Sequence, residues 1–277
     1  MGALTGKNAI VTGASRGIGV YIARALAKQG VNLVLSARTM APIEALAAEL
    51  SRQGIRALAV RSDVGVAADR EQLLAQATAA FGAIDILINN AGLESNAYYQ
   101  AFSHDEIEQM IHVDLIAPML LTRSLLPGML ARKSGHIVNV ASLAGKSATP
   151  YNVPYSAAKG GLILFSHSLR AELAGTGVCV SSIVPGFIAE TGMYAEKERE
   201  LKVGVSPLVG TSRPEAVAAA VVRALTRGDL EIIVAPGPMR LSQAFNQVFP
   251  SAFTWFVTRI GAMEPFKKIA ANSARDS

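Results

Sequence analysis

Short runs of apolar residues alternate along the chain with longer segments of helical period. The runs at 8–11, 32–36, 56–61, 84–89, 136–141, 178–184 and 231–234 predict strands, and helices fall between them, as at 17–29 and 41–53. Several strands are apolar almost without interruption, which suits a parallel sheet covered on both faces. Strand and helix in alternation predict an α/β fold on a doubly wound parallel sheet, with ligands at the carboxyl ends of its strands. The alternation fills residues 1–235, and 236–277 is predicted as an aromatic-rich helical extension of the same domain. There is no internal repeat and no linker-like stretch.

Composition narrows the function classes. The chain has 277 residues, of which 51% are hydrophobic, enough for one large core. The net charge of +5 is mild and its lysines and arginines are scattered, which argues against nucleic acid as a partner. Cys179 is the only cysteine and cannot close an internal disulfide. It lies in the apolar run Val178-Cys179-Val180, as expected of a buried, inert thiol. The N-terminus carries neither a signal-peptide pattern nor a myristoylation pattern. No stretch reaches the about 20 apolar residues of a membrane span. The expectation is a soluble, cytoplasmic protein.

Candidate chemistry begins where the first strand ends. Thr12-Gly13-Ala14-Ser15-Arg16-Gly17-Ile18-Gly19 places glycines between a strand and a helix. Such a loop lets the backbone approach a phosphate, which the N–H groups and dipole of the following helix attract. This refines the sheet to a Rossmann type. The second strand ends at Leu35-Ser36-Ala37-Arg38 with no carboxylate to bind an adenosine ribose. Arg38, with Arg16 in the loop, instead favours a 2′-phosphate, which predicts NADP(H) over NAD(H). Asp63, after the third strand, is a candidate acceptor for the adenine amino group. Asn89-Asn90-Ala91-Gly92 closes the fourth strand beside the expected cofactor.

A second group carries acid–base chemistry. Tyr155 and Lys159 are four apart and share one helix face. A phenol with a pKa of about 10 is a poor catalyst at neutral pH, and a nearby ammonium lowers that pKa. Ser142 upstream can hydrogen-bond the same substrate oxygen. Such a set donates a proton to a ketone or takes one from an alcohol.

Together these residues resemble the short-chain dehydrogenase/reductase family, over residues 4 to about 234. The matching pieces are Thr12 to Gly19, Asp63-Val64, Asn89 to Gly92, Ser142, Tyr155 with Lys159, and Pro185-Gly186 followed by Thr191. The resemblance implies that Tyr155 is the general acid/base, Ser142 polarises a carbonyl, and Lys159 tunes the tyrosine and holds the nicotinamide ribose. Pro185, Gly186, Ile188 and Thr191 are implied along the nicotinamide end, with Gly13, Ser15, Gly17, Ile18, Gly19, Asn90, Ala91 and Gly92 against the rest of the cofactor. It also implies a substrate loop over 192–210 and a homodimer or homotetramer paired through helices beginning near Met110 and Pro154. One position departs from the family. Asp114 stands where an asparagine usually supports a water beside the lysine. A backbone carbonyl there can still hold that water, and a carboxylate can also tune Lys159.

The implied activity is NADPH-dependent reduction of an apolar ketone, or the reverse alcohol oxidation, by hydride transfer. Leu93, Tyr98, Tyr99, Phe187, Met193, Tyr194, Leu201 and Leu208 suggest an apolar pocket. Two alternatives stay open. A 3-oxoacyl-[acyl-carrier-protein] reductase would meet its acidic partner with Arg132 and Lys133, although Thr176 stands where those enzymes tend to carry arginine. A sensor or scaffold would bind NADP(H) without turnover. In the extension, Phe245, Phe249, Phe253 and Phe256 recur as one helical face, near Trp255 and Phe266 and flanked by Arg240, Arg259, Lys267 and Lys268. Three readings compete for that face: packing on its own domain or a sister subunit, capping an apolar substrate pocket, or lying on a membrane surface.

Overall fold

The computed structural model describes residues 2–191, 210–237, 239–261 and 264–273. Its seven strands are β1 (Asn8–Thr12), β2 (Asn32–Ala37), β3 (Ala57–Arg61), β4 (Ile86–Asn89), β5 (Gly135–Val140), β6 (Val178–Pro185) and β7 (Glu231–Val234). They pair in the order β3-β2-β1-β4-β5-β6-β7, all parallel. Strand order reverses between β1 and β4, which opens a crevice at their carboxyl ends. Alternate residues of each strand face opposite sides, which explains the unbroken apolar runs. Ala9, Val11, Leu33 and Leu35 join one core with Ile22, Leu26, Leu50 and Val221. Ile10, Val34, Leu87 and Ile137 join the other with Leu73, Leu121 and Met129.

The helices supplying these residues are α1 (Ile18–Lys28), α2 (Met40–Ser51), α3 (Ala67–Phe81), α4 (His104–Ile111), α5 (Ala117–Ala131), α6 (Val153–Glu172) and α7 (Pro214–Arg227). The helix expected to begin near Met110 starts earlier. Ser103 Oγ accepts from the Glu106 N–H at 3.2 Å while Glu106 accepts from the Ser103 N–H at 2.9 Å, a reciprocal cap that stops fraying. Between α4 and α5 the helix widens into a π turn over His112–Ile116. Pro118 has no N–H for the carbonyl of Asp114 four residues back, so the tighter ladder cannot continue there. By length and hydropathy the continuous run His104–Ala131 meets the requirement of a bilayer span, contrary to the sequence expectation. In the fold one side of it packs on the sheet, with Leu121 and Met129 buried there and Asp114 buried at the turn within it.

Buried polar residues fix α6 against the sheet. Asn89 Nδ2 donates to Asn139 Oδ1 at 2.8 Å, and Asn139 Nδ2 donates to Ser166 Oγ at 2.8 Å. β4, β5 and α6 are thereby tied at one depth. After β7 come α8 (Met239–Val248), α9 (Pro250–Arg259) and α10 (Glu264–Ser273). The aromatic stripe is thus two helices rather than one, because the chain bends at Phe249 and Pro250 opens α9. Cys179 lies in β6 as a free thiol, partly rather than fully buried.

At the amino end of the sheet His136 Nε2 lies 2.8 Å from Ser181 Oγ, which donates to the Asp229 carbonyl. Burial, aided by the Arg170 charge, lowers the imidazole from 6.5 to about 4. The unfolded chain takes up this proton below about pH 6.5, but the folded chain does so only near pH 4. Stability from this site is therefore complete above about 6.5 and is lost as pH falls toward 4, by about 3 kcal/mol in all. His136→Gln is expected to remove this part of the acid sensitivity. Urea denaturation at neutral pH and near pH 4.5 checks it, and an equal loss in both proteins refutes it.

Candidate active site

A cavity of about 340 Å³ opens at the carboxyl ends of the strands, between the sheet and the C-terminal helices. It brings together Ile18, Asn90, Gly92, Ser142, Tyr155, Lys159, Pro185, Gly186, Ile188 and Thr191. Each arrives by a local rule. Tyr155 and Lys159 lie one turn apart on α6, and Ser142 lies two residues past the end of β5. Pro185 ends β6 and Gly186 follows it. Asn90 is held because its Nδ2 donates to the carbonyls of Thr12 and Gly13, at 3.0 and 3.2 Å. Thr12 Oγ1 in turn accepts from the N–H groups of Asn90 and Ala91.

Lys159 and Asp114 form a buried ion pair, Nζ to Oδ1 at 2.9 Å. Lys159 also donates to the Val140 carbonyl at 3.3 Å, and Asp114 Oδ2 accepts from the Leu93 N–H at 3.1 Å. Gly92 is required beside them, because a Cβ there would lie 2.5 Å from Asp114 Oδ1. Burial raises the Asp114 pKa, opposed by Lys159 and the Leu93 N–H.

Tyr155 corrects the sequence argument. The ammonium was expected to lower its pKa, yet burial holds the phenol well above 10, with the Glu94 and Asp114 charges adding to the effect. The Asp114 carboxylate offsets the Lys159 charge, and Nζ stays 5.5 Å from the Tyr155 ring centre. A hydrogen bond from Ser142 opposes the rise. Ser142 Oγ accepts from the Ala144 N–H at 3.2 Å, so its own proton is available to the phenol oxygen. The resting group is a protonated acid.

The candidates for the phosphate and adenosine end of a cofactor lie outside this cavity, along the carboxyl ends of β1, β2 and β3. The Ala14 N–H donates to the Ser36 carbonyl at 3.1 Å, which sets the glycine loop against the end of β2, where Arg38 follows exposed. Arg16 is exposed on the loop itself. Gly17 begins α1 at φ 61°, ψ −146°, a region essentially reserved for glycine. No side chain caps α1 and its first turn holds no carboxylate, unlike the capped start of α4. Gly13 and Ser15 complete this loop, and Gly19 is buried in the first turn of α1. Asp63 is partly committed, since its Oδ1 accepts from the Gly65 N–H at 2.9 Å, and the buried Val64 offers its carbonyl to Arg70.

Sequence reasoning missed several members of the site. Asn152 Nδ2 donates to Glu94 at 2.7 Å, and both line the cavity beside Tyr155. Glu94 follows the Asn-Asn-Ala-Gly loop by two residues, a position that carried a signal only in hindsight. Ser242, Gln243, Phe253, Phe256, Val257, Ile260 and Phe266 form the roof. Asn246 pins that roof by donating to the Lys146 carbonyl at 2.8 Å, and Phe187 meets Phe266 at 5.5 Å between ring centres. The expected substrate loop, with Met193, Tyr194, Leu201 and Leu208, lies outside the described residues except for Gly210, which lines the cavity. Arg132 and Lys133 lie at the opposite end of the sheet, where Arg132 donates to the Ile84 carbonyl.

Known proteins resemble this chain in sequence and fold. The family pattern described as short chain dehydrogenase matches residues 7–202. A "Ketoacyl reductase HetN" of Nostoc sp. is 40% identical, covering 100% of this chain and 96% of its own. A "3-oxoacyl-[acyl-carrier-protein] reductase" of Synechocystis sp. is 38% identical over 79% of this chain and 88% of its own. Among solved structures, a metagenomic short-chain oxidoreductase in complex with NADP is 32% identical and superposes with a TM-score of 0.71, covering 84% of this chain and 99% of that one.

Removing one member of a buried ion pair leaves the other uncompensated. Asp114→Ala is therefore expected to cost about 3–5 kcal/mol of stability. Urea denaturation measures it, and a loss under about 1 kcal/mol refutes a dry, intact pair.

Proposed function

The chain belongs to the short-chain dehydrogenase/reductase family of oxidoreductases, and we propose that it uses NADPH to reduce an apolar carbonyl compound. The observation that carries this reading is the meeting of Ser142, Tyr155 and Lys159 at the wall of one apolar cavity. Such a set can give a proton to a ketone oxygen or take one from an alcohol, so cofactor supply sets the direction, and a preference for NADP(H) favours carbonyl reduction.

The residues present fit a nicotinamide dinucleotide. The uncapped N-terminus of α1 and the glycine loop favour a pyrophosphate. Arg16 and Arg38 beside that loop suit a 2′-phosphate, which is the basis for NADP(H) over NAD(H). Asn90, Gly92, Pro185, Gly186, Ile188 and Thr191 supply the wall for the nicotinamide end. When bound, the cofactor supplies the hydride. Tyr155 donates its phenolic proton to the carbonyl oxygen, and Ser142 hydrogen-bonds that oxygen as charge develops on it. Lys159, held by Asp114 and Val140, keeps a cation near the phenolate that remains.

The roof is lined by Phe253, Phe256, Val257, Ile260 and Phe266, so the substrate body is apolar. Ketoacyl reductase relatives favour 3-oxoacyl thioesters within that class. Delivery on an acidic carrier through Arg132 and Lys133 is not supported, because both lie at the far end of the sheet.

NADPH oxidation against apolar ketones and 3-oxoacyl thioesters, with NADH as control, tests the reading. Turnover on one class is expected, and Tyr155→Phe should lower kcat by about 10²–10⁴-fold while sparing NADPH affinity. Tight NADPH binding with no turnover would leave a sensor instead. A second measurement addresses the phosphate. Arg38→Asp should narrow the preference for NADPH over NADH by about tenfold, and unchanged discrimination rejects the arginine clamp.

A further inference from the structure

The roof helices have two apolar sides. Phe253 and Phe266 turn inward and are buried, whereas Leu241, Phe245, Val248 and Phe249 of the α8 stretch and Trp255 of α9 stand in solvent. Leu241 is 74% exposed, Val248 66% and Trp255 65%, far more than an apolar face meant for water. The first four recur at intervals of four, three and one, so they form one stripe. Phe245 and Phe249 stack at 5.4 Å within it, and Trp255 lies under the Arg259 guanidinium at 5.8 Å.

Charge selects the partner. Residues 235–263 contain no carboxylate, and their only charged residues are Arg240 and Arg259. Lys267 and Lys268 on α10 add two exposed bases against one exposed carboxylate, Glu264. A symmetric pairing of two copies through this patch would set arginine-bearing faces together with no acid on α8 or α9 to answer them. An anionic lipid surface answers them directly: headgroups take the bases, and the stripe with its tryptophan enters the boundary below. The geometry points to α8 and α9 as a docking face for an anionic bilayer, with the protein bound peripherally. The other side of the same layer is the cavity roof. If the carbonyl reductase reading holds, the substrate cavity then lies one helix layer from the lipid.

Trp255 is the only tryptophan in the chain and reports on the face without any substrate. Mixing the full-length protein with vesicles of phosphatidylglycerol and phosphatidylcholine in equal parts should shift Trp255 emission to shorter wavelength and carry the protein into the vesicle pellet. Pure phosphatidylcholine should bind at least about tenfold more weakly. Phe245→Ser with Phe249→Ser should weaken binding to the mixed vesicles by about tenfold or more. Arg259→Glu, a surface change that keeps the aromatic stripe, should weaken binding to the mixed vesicles and leave the urea midpoint unchanged. No shift and no sedimentation overturns the inference, as does vesicle binding that survives both variants. Emission already at short wavelength in lipid-free buffer, moving to longer wavelength on dilution, overturns it in favour of a second copy on this face. Because binding is read without turnover, an inactive but vesicle-bound protein would count against the reductase reading alone.

Discussion

The buried pair of Lys159 and Asp114 is the constraint on which the site turns. Two charges withdrawn from water cost several kcal/mol each unless their geometry and hydrogen bonds compensate. Here compensation comes from four parts of the chain: the Leu93 N–H, the Val140 carbonyl, the bare Cα of Gly92, and the widened turn carrying Asp114. Pro118 contributes by refusing the N–H that would have closed that turn as ordinary helix. The ends of β4 and β5 are thereby locked to the middle of the α4–α5 helix and to the first turns of α6.

The same pair decides the protonation of Tyr155. Alone, an ammonium one turn away would favour a phenolate. Paired with Asp114, and with the Glu94 carboxylate also near, it does not outweigh the burial of the ring. The balance favours a neutral phenol in the resting protein. Ser142 opposes the shift and ties its own position to the tyrosine, which sets two donors toward one point in the cavity.

The C-terminal helices extend this logic outward. They close the cavity with Phe253 and Phe266, and their placement depends on Asn246 reaching the Lys146 carbonyl just beyond Ser142. The side of the layer that faces solvent was not spent on packing. Its aromatic residues and bases make the roof a surface as well as a lid.

Much of this was legible in the residues themselves. Strands such as Asn8–Thr12 and Glu231–Val234 announce themselves because burial on both faces demands unbroken apolar runs. The glycine loop, Arg38 after its strand, and the shared face of Tyr155 and Lys159 follow from local geometry, which near neighbours dictate. The Ser103–Glu106 cap is equally local. What only the tertiary structure decided involves residues remote along the chain. The sign of the Tyr155 shift, the Glu94–Asn152 contact and the inward turn of Phe253 all depend on which groups are desolvated together. Periodicity is set by the few residues of one turn or one pleat, whereas the electrostatics of a buried site is set by everything the fold brings within a few ångströms.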